Sequence, residues 1–345
     1  MSANIENPNL TAAKSRERQQ TSQERWKQRL SALAPLWTLL ALALFFSLAS
    51  DSFLRPVNLN NILAQISTLA ILGTGVTFVL LTGEIDLSIA AVVTLTGVLS
   101  AHLYANLELP EPWPLLAGLG VATLLGLISG VATTKFRIPS FMSTLAMSLI
   151  ASGLAIFISR GRIVFEISEL STFLGSGRIG GQDGIRVLVI VAALSLLAGF
   201  LVLRYTRFGR YVYMTGANKS AARLAGVNTD LIIIIVLGIG GFTAGLAGIV
   251  NMGRLGSAQP QQIQSFLIDA IGAVVLGGTS LTGGRGGIPQ TVIGLLIYGT
   301  LRNGLDNIAS IDSFLKEFIT GLVLLVALIV NVVFSGKADR DRTSG

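Results

Sequence analysis

The chain has 345 residues, 51% hydrophobic and 12% charged, with a net charge of +7 and a mean hydropathy of +0.70. Soluble domains carry roughly 25% charged residues, so the composition excludes a soluble domain and indicates an all-α polytopic membrane protein. The absence of cysteine excludes disulfides, thiolate metal sites and thiol catalysis, and the net charge is concentrated outside the apolar runs, where it speaks for orientation and lipid contact rather than nucleic acid.

In chain order, residues 1–32 form a polar arm carrying Lys14, Arg16, Arg18, Arg25, Lys27 and Arg29. It reads as a disordered cytoplasmic segment near anionic lipid, too long in its basic part for a cleaved signal peptide. A membrane domain follows over 33–335. A helical span needs about 20 mostly apolar residues. Ten such segments are expected, at about 33–50, 60–82, 86–106, 114–134, 139–158, 185–205, 230–253, 266–283, 288–305 and 314–334. The junction at Gly83 to Asp86 is tight, so the second and third spans are expected to be broken or re-entrant. The glycine-rich eighth span is not expected to cross straight. The loop 159–184 has room for a short helix, and residues 336–345 form a polar tail.

With the N-terminus inside, 17 of the 25 Lys and Arg fall on the inner side and eight on the outer. That bias puts both termini, and the loop 207–228, in the cytoplasm. This loop contains Arg207, Arg210, Lys219 and Arg223 and no acid. It is spelled as structure: Asn218 is placed to cap a short helix through Lys219, Ala221, Ala222 and Arg223, and Gly226 is placed to stop it. A capped basic helix between spans is a knob offered to a partner protein. One internal echo, Ile85-Asp-Leu against Ile268-Asp-Ala, begins the third and eighth spans. It fits inverted 5+5 halves, a transporter design, and it also fits chance alignment of apolar text.

Little in the chain points to catalysis. No His, Cys and carboxylate spacing suggests a metal site, and no Gly-x4-Gly-Lys-Ser/Thr phosphate loop is present, so any ATP used must be handled by another chain. The lone His102 reads as a polar group satisfied between helices. Acids inside a membrane domain are default functional candidates, here Glu84, Asp86 and Asp269. Asp86, Asp230 and Asp269 also suit capping of helix N-termini. Asn251, Gln259, Gln261, Gln262 and Gln264 are placed either to line a path for a hydroxylated molecule or to serve as loop residues. The glycine-rich run 277–287 reads as close packing at a bend.

Four motifs occur in order: Gly83-Glu-Ile-Asp-Leu-Ser88, Phe208-Gly-Arg210, Gly216-Ala-Asn-Lys-Ser-Ala-Ala-Arg-Leu-Ala-Gly226 and Leu276-Gly-Gly-Thr-Ser-Leu-Thr-Gly-Gly-Arg-Gly-Gly287. Together they resemble the ribose-type permeases of bacterial ABC importers, over about residues 35 to 335. The resemblance implies an inner-membrane subunit that pairs with a second copy or a paralogue around a central path. An ATPase would dock on the segment that includes Arg210, Gly216, Asn218, Lys219, Ala221, Ala222, Arg223 and Gly226, and a periplasmic sugar-binding protein would dock outside. It implies no catalytic residue and no cofactor, ATP being used by the partner. Asp86, Asn251, Gln259, Asp269 and Glu84 are the path candidates. The family usually reads Gly-Gly-Ile-Asp-Leu-Ser, and here Glu84 replaces the second glycine. The rival expectations are an ion-coupled secondary carrier, disfavoured by the missing proton relay, and a channel or membrane scaffold.

Overall fold

The computed structural model describes residues 34–181, 184–261 and 264–308, with individual positions between 312 and 329. The arm 1–32, the tail 336–345, Gln262 and part of the tenth expected span lie outside the described residues. The elements are α1 (Ala34–Ala49), α2 (Pro56–Leu81), α3 (Ile89–Ala105), α4 (Trp113–Lys135), α5 (Ser140–Ser159), α6 (Glu169–Ser176), a hairpin of β1 (Arg178–Ile179) and β2 (Ile185–Arg186), α7 (Val187–Tyr205), α8 (Arg207–Ala217), α9 (Lys219–Leu224), α10 (Thr229–Leu255), α11 (Gln264–Leu276) and α12 (Ile288–Asp306). The short helix expected in 159–184 is α6, started by the Ser168 hydroxyl, which accepts from the Ser171 N–H at 3.1 Å.

Among the described residues five helices, α2, α4, α5, α7 and α10, are long and apolar enough to cross a bilayer. At 16 and 17 residues, α1 and α3 fall short of that length. The eighth expected span, 266–283, needs correcting. Its helix, α11, stops at Leu276, and residues 277–287 form a non-helical loop with five glycines at positive φ. Too many glycines in succession remove the side chains that would hold a helix together, and each adds backbone entropy to be lost.

Burial sorts the long helices into a centre and a rim. The apolar windows of α2 and α10 are 89% and 72% buried, against 28% for both α5 and α7. The rim helices turn leucines and phenylalanines outward, among them Leu149 and Phe157 on α5 and Leu194 and Leu197 on α7. In lipid such side chains gain nothing by leaving the surface, so the centre must be held by close packing and hydrogen bonds. The antiparallel contact of α4 with α10 shows how. A Cβ at Gly126 would lie 2.3 Å from the Leu237 carbonyl oxygen, and one at Gly241 the same distance from that of Ala122. The two backbones therefore touch. On α2, hydroxyls and amides clamp α12 at both ends: Thr77 and Thr291 share a hydrogen bond of 2.6 Å, and Asn58 donates to Asn303 at 2.8 Å.

The second and third expected spans are continuous helices, of 26 and 17 residues, rather than broken ones, and the break in helical structure is the junction between them. Residues 82–88 leave the helix, with Gly83 at φ 78°. Non-helical backbone among spans is tolerated only where protein satisfies it. Here the first turn of α5 does so: the Ile85 N–H donates to the Ser140 hydroxyl at 3.1 Å, and the Leu87 N–H to Thr144 Oγ1 at 3.0 Å. Thr144 is fully buried. Its replacement Thr144→Val keeps the shape and strands the Leu87 N–H. That change is expected to cost about 1–3 kcal/mol, read by unfolding in detergent. Thr134→Val removes only a bond to its own helix at the Gly130 carbonyl, and should cost roughly 0.5 kcal/mol or less.

Candidate functional site

The segment 207–228 is two helices rather than one. Thr206 caps α8 by accepting from the Gly209 N–H at 3.1 Å. The helix is amphipathic, with Gly209, Val212 and Thr215 buried and Arg207, Arg210, Tyr211 and Met214 exposed. Asn218 then breaks away from helical geometry and caps α9, accepting from the Ala221 N–H at 2.9 Å. Gly226 ends the unit at φ 83°. The cap and stop residues stand where the sequence placed them. The preceding helix α8 was not anticipated, although Thr206 followed by alternating basic and apolar residues was a usable signal. Within α9, Ala222 is 2% exposed and packs into the cluster with Val212, Val227, Ile232 and Ile233. Ser220, Ala221, Arg223 and Leu224 are its exposed residues, Leu224 at 91%.

Three of the four motifs meet at the base of α9. A Cβ on Gly216 would lie 1.8 Å from the Leu81 carbonyl oxygen and 2.7 Å from the Gly284 nitrogen. One on Gly283 would lie 2.8 Å from the Gly83 nitrogen and 3.0 Å from the Gly216 Cα. The Gly284 N–H donates to the Leu81 carbonyl at 2.9 Å, which closes the end of α2. So the α2–α3 break, the end of α8 and the loop between α11 and α12 touch backbone to backbone, where no side chain fits. Tyr213 of α8 adds a hydroxyl bond to the Gly286 carbonyl at 2.9 Å. Burial pushes the Tyr213 phenol up, against the pull of nearby Arg204, so it keeps its proton and its donor role at neutral pH.

The charges at this junction are matched internally. Lys219, first residue of α9, reaches Glu84 of the break at 3.4 Å, and Arg223 pairs with Asp230 at the start of α10. Arg223 also donates to the Thr229 hydroxyl at 2.8 Å. Asn228, not Asp230, caps α10, accepting from the Leu231 N–H at 3.1 Å. Glu84, Lys219, Arg223 and Asp230 line a polar cavity of about 640 Å³ with Lys135, Arg137, Thr133 and Ser140 from the α4–α5 connection.

The other path candidates are dispersed. Asp86 is 4% exposed, and its Oδ1 accepts from the Ser88 N–H at 2.8 Å and from the Ser88 hydroxyl at 2.6 Å. It thus shapes the turn ahead of α3. Asn251 and Gln259 do come together, at the far end of α10. They line a cleft of about 10 Å³ with Ser257 and Gly97, room for no more than about one water. Asp269 lies on the second turn of α11 and does not cap it, pairing instead with Arg302 at 3.5 Å. His102 is satisfied by Asn106 on its own helix, at 2.8 Å, rather than by a neighbouring one. The echoed acids Asp86 and Asp269 therefore occupy different local settings. Among the described residues no group of three or more His, Asp or Glu stands together.

A profile of the family described as "Branched-chain amino acid transport system / permease component" matches residues 58–328. The ribose import permease protein of Escherichia coli K12 is 38% identical over 307 residues, 89% of this chain and 94% of that protein. The D-allose transport system permease protein of the same organism is 34% identical, over 85% of this chain and 89% of its own length. The fructose import permease protein of Rhizobium meliloti is 32% identical, over 87% and 85%. The family match runs from the first turn of α2 past the end of α12 and covers all the motifs that meet at the glycine junction. The chain is a multi-pass inner-membrane protein that belongs to the ribose-type ABC transporter permeases.

Proposed function

We propose that this permease translocates a monosaccharide or related polyol across the bacterial inner membrane by alternating access, driven by a separate ATPase and supplied by a periplasmic binding protein. Ten spans, in halves of inverted sense, with both termini in the cytoplasm, complete this reading. Two copies of the chain, or the chain and a paralogue, enclose the path. The relatives are named for import of ribose, allose and fructose, which supports a neutral hydroxylated substrate. The motifs of this chain do not distinguish among such sugars, and selectivity falls largely on the binding protein.

The observation that carries the reading is the seating of α9. Its outer face is exposed, while its base is locked to the α2–α3 break and to the loop before α12. A partner that moves α9 must move both. A displacement driven by ATP thus reaches two helix junctions directly, and the protein shifts between two arrangements that bind the ATPase differently. No chemistry falls on the sugar. At the opposite end, the cleft at Asn251 and Gln259 is nearly shut, as one gate of such a cycle requires.

Leu224 is the docking residue most open to test. Leu224→Glu places a charge on an exposed position without disturbing the core. It is expected to weaken ATPase association and to lower ATP-driven uptake about tenfold or more, with the permease still folded and inserted. Ala222→Glu, by contrast, buries a charge and should lower stability itself. Normal uptake by the Leu224 variant would remove the docking reading.

The pair of Glu84 and Lys219 separates two roles for the lysine. The pair is partly buried, with Glu84 at 15% and Lys219 at 42% exposure, so Glu84→Lys sets two cations side by side and should loosen α9 from the break, with folding and insertion checked in detergent. Uptake per ATP hydrolysed should fall. Adding Lys219→Glu restores it if the lysine serves the break. Continued loss in the double variant would assign Lys219 to the ATPase or to anionic lipid, distinguished by repeating the measurement in neutral-lipid vesicles.

A further inference from the structure

The cavity beside α9 holds more positive charge than its ion pairs use. Four cations line it, Lys135, Arg137, Lys219 and Arg223, against two acids, Glu84 and Asp230. The acids are engaged by Lys219 and Arg223. Lys135 and Arg137 belong to the turn between α4 and α5. Among the described residues neither of them forms an ion pair or a side-chain hydrogen bond. The walls therefore carry an excess of two positive charges around a space of about 640 Å³. Such a cleft concentrates anions, and its volume is that of a small-molecule site.

The surroundings of the cavity say where the anion comes from. The turn reads Lys135-Phe-Arg-Ile138, and all four side chains are exposed. Cations alternating with exposed apolar groups suit the boundary of a bilayer, where the apolar groups enter the lipid and the cations stay at the level of the phosphates. The backbone holds Arg137 at φ 57°, a left-handed conformation that arginine seldom adopts. Next to Ser140, which lines the cavity, α5 begins a row of exposed apolar residues, Phe141, Leu145 and Leu149. Four-residue spacing puts them on one stripe of the helix. A basic cavity and an apolar stripe thus adjoin, as the two parts of a lipid do.

We propose that this cavity binds a phosphate group carried by an anionic phospholipid, with Lys135 and Arg137 as its ligands and the acyl chains along α5. Arginine offers phosphate a planar fork of donors, and lysine adds a mobile point charge. Basic pockets at the end of a helical bundle hold lipid headgroups in this way. The bound phosphate offsets the excess charge of the walls and ties the α4–α5 turn to α9 and to the start of α10. It leaves Leu224 and the outer face of α9 open. Free phosphate has the same charge but nothing to lay against the apolar stripe. The site owes nothing to the identity of the transported molecule, so its test needs no transport.

The full chain is purified in a non-ionic detergent, stripped of lipid, and titrated with phosphatidylglycerol, phosphatidylcholine or inorganic phosphate. Native mass spectrometry counts the retained molecules, and thermal unfolding is followed in parallel. Phosphatidylglycerol should be retained and should raise the unfolding temperature, whereas the other two do neither. Lys135→Gln combined with Arg137→Gln should weaken that retention about tenfold or more, with the unfolding temperature of the lipid-free protein unchanged. Thr134→Phe fills the cavity without changing its charge and should weaken retention as well. Arg160→Gln with Arg162→Gln removes two cations beyond the other end of α5 and should leave retention as it was. Wild-type retention in the Lys135 and Arg137 variant would overturn the site, as would an equal loss in the Arg160 and Arg162 variant. An equal effect of inorganic phosphate would overturn the lipid as its source. Release of the lipid when the ATPase joins the chain would assign the cavity to that partner instead.

Discussion

Backbone hydrogen bonding inside a bilayer is the constraint on which this structure turns. A helix that stops among other spans leaves carbonyls and N–H groups that lipid cannot satisfy. The chain stops α2 at Leu81 and covers the exposed ends with its own segments. Gly284 donates to Leu81, while Ser140 and Thr144 accept from Ile85 and Leu87. Those covers belong to the α11–α12 loop and to α5, and α8 ends against them. Closing one helix end therefore joins four distant parts of the chain.

The same constraint explains why glycine, with 39 residues, is so abundant. Apolar association yields little between helices already in lipid, so the contacts that hold the centre are van der Waals contacts at short range. α4 meets α10 through Gly126 and Gly241, and α8 meets the break through Gly216. Backbones at contact distance behave as stiff couplings, because packed groups have no slack to absorb a displacement. A flexible side-chain interface at the base of α9 would take up part of any push from a partner. The glycine junction passes it on.

What the sequence made legible was local. The Asn218 cap and the Gly226 stop are encoded within a few residues, and each stands where the reading put it. The five long apolar helices were legible too, since each needs only its own hydropathy, whereas the amphipathic α8 was not. The eighth span was overextended because the loop that follows α11 carries no charge before Arg285 to mark the end of the helix. The burial of Ala222 was hidden, since a six-residue helix has too few positions to reveal which face it turns inward. Most opaque was the junction itself. Gly83, Gly216 and Gly284 are far apart in the chain, and only the fold shows that they share one place. The pairing of Asp269 with Arg302 was illegible for the same reason, and a cap was the natural reading of an acid near a helix start.

Glu84 brings these levels together. Where the resemblance implies a glycine, this chain puts a carboxylate that is 15% exposed at the edge of the break. A charge so placed loses hydration, and its nearest compensation is Lys219, which belongs to α9. The charge is therefore best tolerated when α9 is seated. Linkage makes that relation reciprocal: whatever stabilises the seated helix stabilises the ionised break, and whatever withdraws the lysine raises the free energy of the break by an equal amount. A glycine in this place would leave α9 tied to the break by backbone contact alone. With glutamate the tie acquires an electrostatic part, which weakens with salt and with distance more gradually than packing does. The substitution thus leaves the junction in place and gives it a longer reach.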